Sequence, residues 1–529
     1  MGFRKNKLAI FLLLLVLVVA GIFRLWKLDS VPPGLYPDAA IYGNDAWESL
    51  KTGNFKIFYP ENNGREGLFM WLLALSFSVF GVSVWSLKLV PALIGILTVL
   101  GLYLLTKELF FNNSRSFYLA PLSAFFLAAS FWHTNFSRIG FRAILMPLVL
   151  VFGFYFLLRG FRRKKFFDFI ISGIIFGLGF YTYISYRLIV VLLPLVLALF
   201  LFIYYQKKEV KKFLFLVSCL IFFIFITAFP IGYYFLQNPQ DFLGRAAPIS
   251  VFASDNPFRE LGKSLILHLG MFNFYGDGNW RHNFAGLPQL PRSLGVLFLI
   301  GLIVSIKEIV NLRKHKNLSL VIGHWLLVTW FLIMLLPGIL TYEGIPHSLR
   351  VIGVIPAVYV FVALGFWWVY EKIKKNTENK RALLATSLIF LSLVSVYEFN
   401  KYFFLWGKNK EVEGAFTKIF FEQGKFLNAL PESFQKYVIV NEGGVKVPWP
   451  NGIPMSAQTI MFVENTKSGK TRAIYLLPED LEKIKIEKEA VILPMKYEES
   501  LFDELKRKFP QGEIKTGNGK IIYYLIKRL

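Results

Sequence analysis

The stretch 24–71, RLWKLDSVPPGLYPDAAIYGNDAWESLKTGNFKIFYPENNGREGLFMW, decides how the rest of the chain is read. It places Asp29, Asp38, Asp45, Glu48, Glu61, Arg65 and Glu66 between two apolar segments, in a chain where Lys and Arg outnumber acids 59 to 34. Acids concentrated between apolar runs mark a loop at a membrane surface. A carboxylate there, with aromatic neighbours and an arginine close by, is what an enzyme needs to activate an acceptor beside a lipid phosphate. The loop is therefore read as the catalytic face.

Composition agrees with a membrane setting. Of 529 residues 55% are hydrophobic and 18% charged, with 56 Phe and 12 Trp, far from the usage of soluble domains. Apolar runs of the roughly 20 residues that cross a bilayer recur up to about residue 400. Residues 401–529 then turn rich in Lys, Glu, Gly and Pro and are long enough to bury a core of their own. The net charge of +25 lies in short clusters between apolar runs, the positive-inside pattern, so no nucleic-acid partner is expected. A single cysteine, Cys219, excludes internal disulfides and Cys-based metal sites.

The clusters Arg162-Arg163-Lys164-Lys165, Lys207-Lys208 with Lys211-Lys212, Arg313-Lys314-His315-Lys316, and Lys372 to Arg381 mark the cytoplasmic side. Arg4, Lys5 and Lys7 precede an apolar run at 8–23, read as an uncleaved first span with Arg24-Leu25-Trp26 as its interface anchor and the N-terminus inside. Parity then requires one of the apolar stretches between 67 and 158 not to span. The shortest, 68–82, falls below the length of a crossing and is expected to lie along the outer surface. The result is about eleven spans, thirteen at most; the alternative is that two of the short stretches pack as one broken helix. Residues 1–400 form the membrane domain, 24–67 its first outer loop, and 401–529 an outer domain. Its β-rich runs at 437–440, 473–477, 490–495 and 520–526, with helical spacing at 498–509, predict an α/β fold.

Five constellations carry candidate chemistry. Asp38 follows the stiff approach Pro32-Pro33-Gly34 and Pro37, where it can begin a helix. Arg65 and Glu66 in NNGREGLFMW start another, and Arg65 is a candidate bidentate phosphate donor. Arg138 and Arg142 lie four apart without a neighbouring acid, as lipid headgroup contacts do. GDGNWRHN at 276–283 makes a turn whose Asp277, Trp280, Arg281, His282 and Asn283 suit sugar binding better than metal; no metal site is expected. Glu343, His347 and Arg350 crowd the outer mouth of two spans, where charge is costly and tends to be functional.

In order and spacing, PPGLYPDAA, NNGREGLFMW, GVSVWSLKLVPALIG, SRIGFRA, GDGNWRHN and PHSLRVIG resemble the GT-C superfamily of polytopic glycosyltransferases, over roughly residues 20–400. The similarity is to its protein O-mannosyltransferase and lipid A aminoarabinose transferase branch. It implies transfer of a sugar from a polyprenyl-phosphate donor to a hydroxyl of a protein, lipid or glycan, outside the cell membrane and by inversion. Asp38 falls at the family's catalytic first-loop Asp. Family members commonly carry Asp-Glu where this chain has Asp38-Ala39, so any role that needs the second acid, metal binding included, is not expected. Arg65, Arg138, Arg142 and Arg350 are the resemblance's candidates for the donor phosphate, Glu343 for a further catalytic acid, and Glu66, Asp277, Trp280, Arg281, His282, Asn283 and His347 for substrate contact. No cofactor is certain from the sequence; a divalent metal stays open but has no support in it. A transporter, or a non-catalytic envelope assembly protein, is the competing reading; the absence of an internal repeat counts against the transporter.

Overall fold

The computed structural model describes residues 2–111, 116–244, 247–311, 318–447, 452–517 and 520–527. The basic cluster Arg313-Lys314-His315-Lys316 lies outside the described residues. The chain divides into two compact units, Met1–Trp26 with Pro91–Trp406, and Lys27–Val90 with Gly407–Leu529.

The first unit is helical. Among the described residues nine helices are long and apolar enough to cross a membrane, from Lys7–Leu25 to Lys380–Trp406. Ser116–Ala128 and Phe166–Gly179, like Leu68–Phe80, are shorter apolar helices, so nine long apolar helices among the described residues stand where about eleven spans are expected. At 1.5 Å per residue the 13-residue Leu68–Phe80 is only about 20 Å long, too short to cross about 30 Å of hydrocarbon upright. Small residues let spans approach closely: a Cβ on Gly301 would lie 1.8 Å from the Phe361 carbonyl oxygen, and one on Gly365 1.9 Å from that of Leu297. The helices Arg292–Val310 and Ile355–Lys375 therefore touch backbone to backbone at this pair.

Arg24 is not an interface anchor. It is fully buried, with guanidinium nitrogens donating to the Ala128 carbonyl at 2.9 Å and meeting His133 Nδ1 at 2.7 Å. A buried guanidinium has to spend its donors on acceptors, and main-chain carbonyls supply them.

The second unit joins the outer loop to the C-terminal residues. A mixed five-stranded sheet of β3 (Gln435–Ile439), β4 (Ile474–Leu476), β5 (Ala490–Pro494), β6 (Gly512–Gly517) and β7 (Ile521–Ile526) runs in the order β4-β3-β5-β7-β6. β3 is parallel to β4 and β5, whereas β7 is antiparallel to β5 and β6. Tyr437, Ile492, Phe502, Leu505 and Tyr524 pack one core cluster around it.

Helix Pro37–Thr52 of the outer loop is bound to helix Gln458–Ser468 by buried amides. Asn44 Nδ2 donates to Gln458 Oε1 at 2.8 Å and to its carbonyl at 3.2 Å, while Asn44 Oδ1 accepts from Asn465 Nδ2 at 3.0 Å. Trp47 Nε1 donates to the Gly469 carbonyl, and the hydroxyls of Thr417 and Thr459 both donate to the Leu35 carbonyl. Phe77 of the helix Leu68–Phe80 packs 6.1 Å from Phe462. The outer loop is thus built into the same compact body as the C-terminal sheet.

Candidate functional site

Asp38 lies in the first turn of Pro37–Thr52, directly after Pro37, which presets the helical φ and needs no amide partner there. The approach is fixed by Lys88, which is buried and donates to the Pro32 carbonyl at 3.0 Å. Asp38 is partly exposed, takes Asn62 Nδ2 on Oδ1 at 2.8 Å, and has no ion-pair partner among the described residues. Asn62 is aimed there by a hairpin of β1 (Phe58–Tyr59) and β2 (Arg65–Glu66), in which Tyr59 pairs with Arg65. Its turn runs through three successive left-handed residues, Asn62 (φ 51°), Asn63 (φ 63°) and Gly64 (φ 82°). Asn and Gly are the residue types that tolerate this region, which is why the motif reads NNG.

Arg65 departs from the expectation of a phosphate ligand. It is 1% exposed; Nη1 pairs with Asp45, Nη2 lies 3.5 Å from Glu61 Oε2, and the guanidinium sits over the rings of Tyr42 and Tyr59. Its charge is spent on holding the hairpin to the helix. Burial pushes the Asp45 carboxyl up against the pull of Arg65. Glu66 is buried in β2. Beside this pair a cavity of about 170 Å³ is lined by Asn44, Asp45, Glu48, Tyr59, Glu61 and Arg65.

In the membrane unit, Arg138 is also committed. It is fully buried and donates to the carbonyls of Phe23 (3.2 Å), Arg24 (2.8 Å) and Trp26 (2.8 Å). Two of these carbonyls lie in the last turn of helix Gly2–Leu25, where a helix runs out of its own donors. Arg142 is buried over the Tyr183 ring at 5.5 Å. Arg350 stays half-exposed, bonded to Thr341 Oγ1 at 2.8 Å and to the Glu343 carbonyl at 2.6 Å, with the Glu343 side chain in solvent.

The stretches 276–283 and 346–348 converge. Asp277 Oδ1 accepts the Asn279 amide at 2.8 Å, and Oδ2 accepts the Ser348 amide and hydroxyl, both at 2.8 Å, and faces His282 Nδ1 at 3.2 Å. His347 Nδ1 lies 3.9 Å from the same oxygen and has no hydrogen-bond partner among the described residues. Burial alone would raise the Asp277 carboxyl, but the bonds from His282 and the Asn279 amide hold it well below the carboxylate range. Burial, with His282 alongside, holds the His347 imidazole well below its ordinary value.

The His347 amide donates to His268 Nε2 at 3.2 Å, so His268 carries its proton on Nδ1, toward the Ser264 carbonyl at 2.8 Å. Burial, opposed by that bond, pushes His268 down to about 4. Asn283 spends Nδ2 on the carbonyls of Asp277 and Leu287, whereas Trp280 and Arg281 stay half-exposed. Ser348, His268 and Asn62 were not singled out from the sequence, although each lies beside a residue that was.

The nine apolar helices make the chain an integral membrane protein, and the architecture, C-terminal sheet domain included, is the fold of the solved GT-C structures ArnT and AglB. Residues 68–231 match the model of the dolichyl-phosphate-mannose-protein mannosyltransferase family. An uncharacterized protein of Aquifex aeolicus is 24% identical over 366 residues, which are 68% of this chain and 63% of that protein, less than two thirds of its length. ArnT from Cupriavidus metallidurans, solved bound to undecaprenyl phosphate, is similar with a TM-score of 0.58 at 13% identity over 98% of both chains. The oligosaccharyltransferase AglB from Archaeoglobus fulgidus, solved with an inhibitory peptide and a dolichol-phosphate, is similar with a TM-score of 0.50 at 14% identity, over 98% of this chain and 74% of that one.

Proposed function

We propose that the protein is a membrane glycosyltransferase that moves a hexose or pentose from a polyprenyl-phosphate carrier to a hydroxyl of a protein, lipid or glycan acceptor on the extracytoplasmic face. The observation that carries this reading is Asp38: partly exposed, oriented by Asn62, unpaired with any cation among the described residues, and set at a helix N-terminus. The matched family and the carriers bound by the two solved relatives support the donor class.

In the reaction the acceptor hydroxyl gives its proton to Asp38 while its oxygen attacks the anomeric carbon. The bond to the carrier phosphate breaks, and the electron pair leaves with the phosphate. A single displacement inverts the anomeric centre. General base catalysis of this kind contributes about 10² to 10⁴ in rate. Of the four candidate arginines, Arg350 keeps the exposure that a phosphate contact needs; Trp280 and Arg281 are the exposed side chains of the GDGNWRHN turn for sugar contact.

The test is release of carrier phosphate from a labelled polyprenyl-phosphate sugar by membranes that hold equal amounts of protein. Asp38→Asn should lower it by at least about 100-fold. A wild-type rate in Asp38→Asn would remove Asp38 from the chemistry, and no release by the unaltered protein with any polyprenyl-phosphate sugar would remove the donor class.

A further inference from the structure

The sequence alone argued against a metal in the GDGNWRHN turn, because an Asp/His pair is too few ligands. The fold supplies the third. Asp277, His282 and His347 each offer one ligand atom, and the three atoms lie within 4.8 Å of one another. We infer that these residues form a binding site for a divalent cation of the zinc class, holding the turn 276–283 to the segment 346–348 and leaving one coordination position open.

Three features support this assignment. The first is spacing. Zinc bonds of about 2.0–2.1 Å in tetrahedral geometry place neighbouring ligand atoms about 3.3 Å apart. Asp277 Oδ2 is 3.2 Å from His282 Nδ1 and 3.9 Å from His347 Nδ1, and all three ligand atoms lie within 4.8 Å of one another, so side-chain rotation alone can close the set.

The second is the nitrogen of His347. It is buried, faces the carboxylate, and has no hydrogen-bond partner among the described residues, in a place where a polar atom without one costs about 1–3 kcal/mol. A cation would satisfy it.

The third is support around the ligands. Ser348 holds the Asp277 carboxylate through its amide and hydroxyl, and His268 anchors the His347 backbone, the kind of outer contact that fixes ligand orientation. Two imidazoles and one carboxylate suit zinc or another borderline divalent ion better than calcium or magnesium, which prefer oxygen. His347 is 16% exposed at its side chain, so the open position can take an oxygen from water or from a phosphate. The inference is independent of glycosyl transfer and of Asp38.

The full chain, purified and stripped with chelator, is titrated with Zn²⁺ alone and, separately, with Co²⁺. One equivalent of each should bind, and the Co²⁺ form should show the intense visible absorption of a tetrahedral site. His347→Ala removes no side-chain hydrogen bond seen in the structure, so it should fold; it should weaken Zn²⁺ binding by more than about 100-fold, beyond what loss of an outer contact does. Asp277→Asn should do the same, while Glu260→Gln, away from the ligand set, should bind as the unaltered protein does. Absence of stoichiometric Zn²⁺ binding, unchanged binding in His347→Ala, or a weak octahedral Co²⁺ spectrum would each overturn the assignment.

Discussion

Replacing Asn44 by Ala tests whether the first outer loop is held in one body with the C-terminal sheet. Asn44 is 2% exposed and makes three hydrogen bonds to residues more than 400 positions away, two as donor to Gln458 and one as acceptor from Asn465. The alanine side chain removes both partners of Asn44 at once. It leaves Gln458 Oε1, the Gln458 carbonyl and Asn465 Nδ2 to find new partners in a buried place. At about 1–3 kcal/mol for each unsatisfied group, with some relaxation toward other amides, the loss is about 3 kcal/mol.

Amide hydrogen exchange of the purified chain reads this directly. Segments 37–52 and 458–468 should both exchange about 100-fold faster, and together, as expected if they belong to one cooperative unit. Asn44→Asp, which keeps an acceptor for Asn465 but faces Gln458 Oε1 with a second acceptor, should fall no short of alanine. Faster exchange in 37–52 with 458–468 unmoved, or a change below about 0.5 kcal/mol, would refute the packing argument.

Two further expectations concern stability. Arg138→Ala strips donors from the buried carbonyls of Phe23 and Arg24 and from the half-buried one of Trp26 and should cost about 2–3 kcal/mol, read as a lowered midpoint in thermal unfolding; Arg138→Lys should recover little, since one ammonium does not span all three. A loss of lipid-phosphate binding at wild-type stability would return Arg138 to the role of headgroup contact. Burial raises the Glu464 carboxyl, against hydrogen bonds from the Tyr475 hydroxyl and the amides of Ala473 and Arg472. A folded-state value above the unfolded one means that the folded state binds the proton more tightly. The stability Glu464 contributes is thus full below the ordinary glutamate value and falls as pH rises through the raised one. Unfolding midpoints measured across that interval should fall with pH, and Glu464→Gln should flatten the slope; an unchanged slope would place the titration elsewhere.

The spans were legible because each is a long apolar run with basic residues at an end, and the strands 437–440, 490–495 and 520–526 because they are β-branched and aromatic. β6 escaped notice: GEIKTG carries two glycines and alternating polar residues, as an edge strand does, and only its pairing with β7 makes it a strand. Arg138 was read as a lipid contact because no acid stands near it in the chain. Its partners are main-chain carbonyls, which have no letter in a sequence. Arg65 was read as a phosphate donor for the same reason that it is not one: Asp45, 20 residues back, meets it only when the hairpin folds onto the helix. Asp277 and His347 are separated by 70 residues that include two membrane helices, so their approach is a property of the bundle.

The second unit takes its residues from both ends of the chain, with roughly 320 residues between Val90 and Gly407. Helix Gln458–Ser468, which binds helix Pro37–Thr52, begins about 400 residues after that helix ends, so at about 5–20 residues per second of synthesis it leaves the ribosome about 20 to 80 s later. Through that interval Asn44 and Trp47 lack the partners that Gln458, Asn465 and Gly469 supply, and the helix that presents Asp38 is too short to hold its shape alone in water. Maturation of Asp38's surroundings is therefore a late event of biogenesis, set by arrival of the last quarter of the polypeptide and not by insertion of the first span.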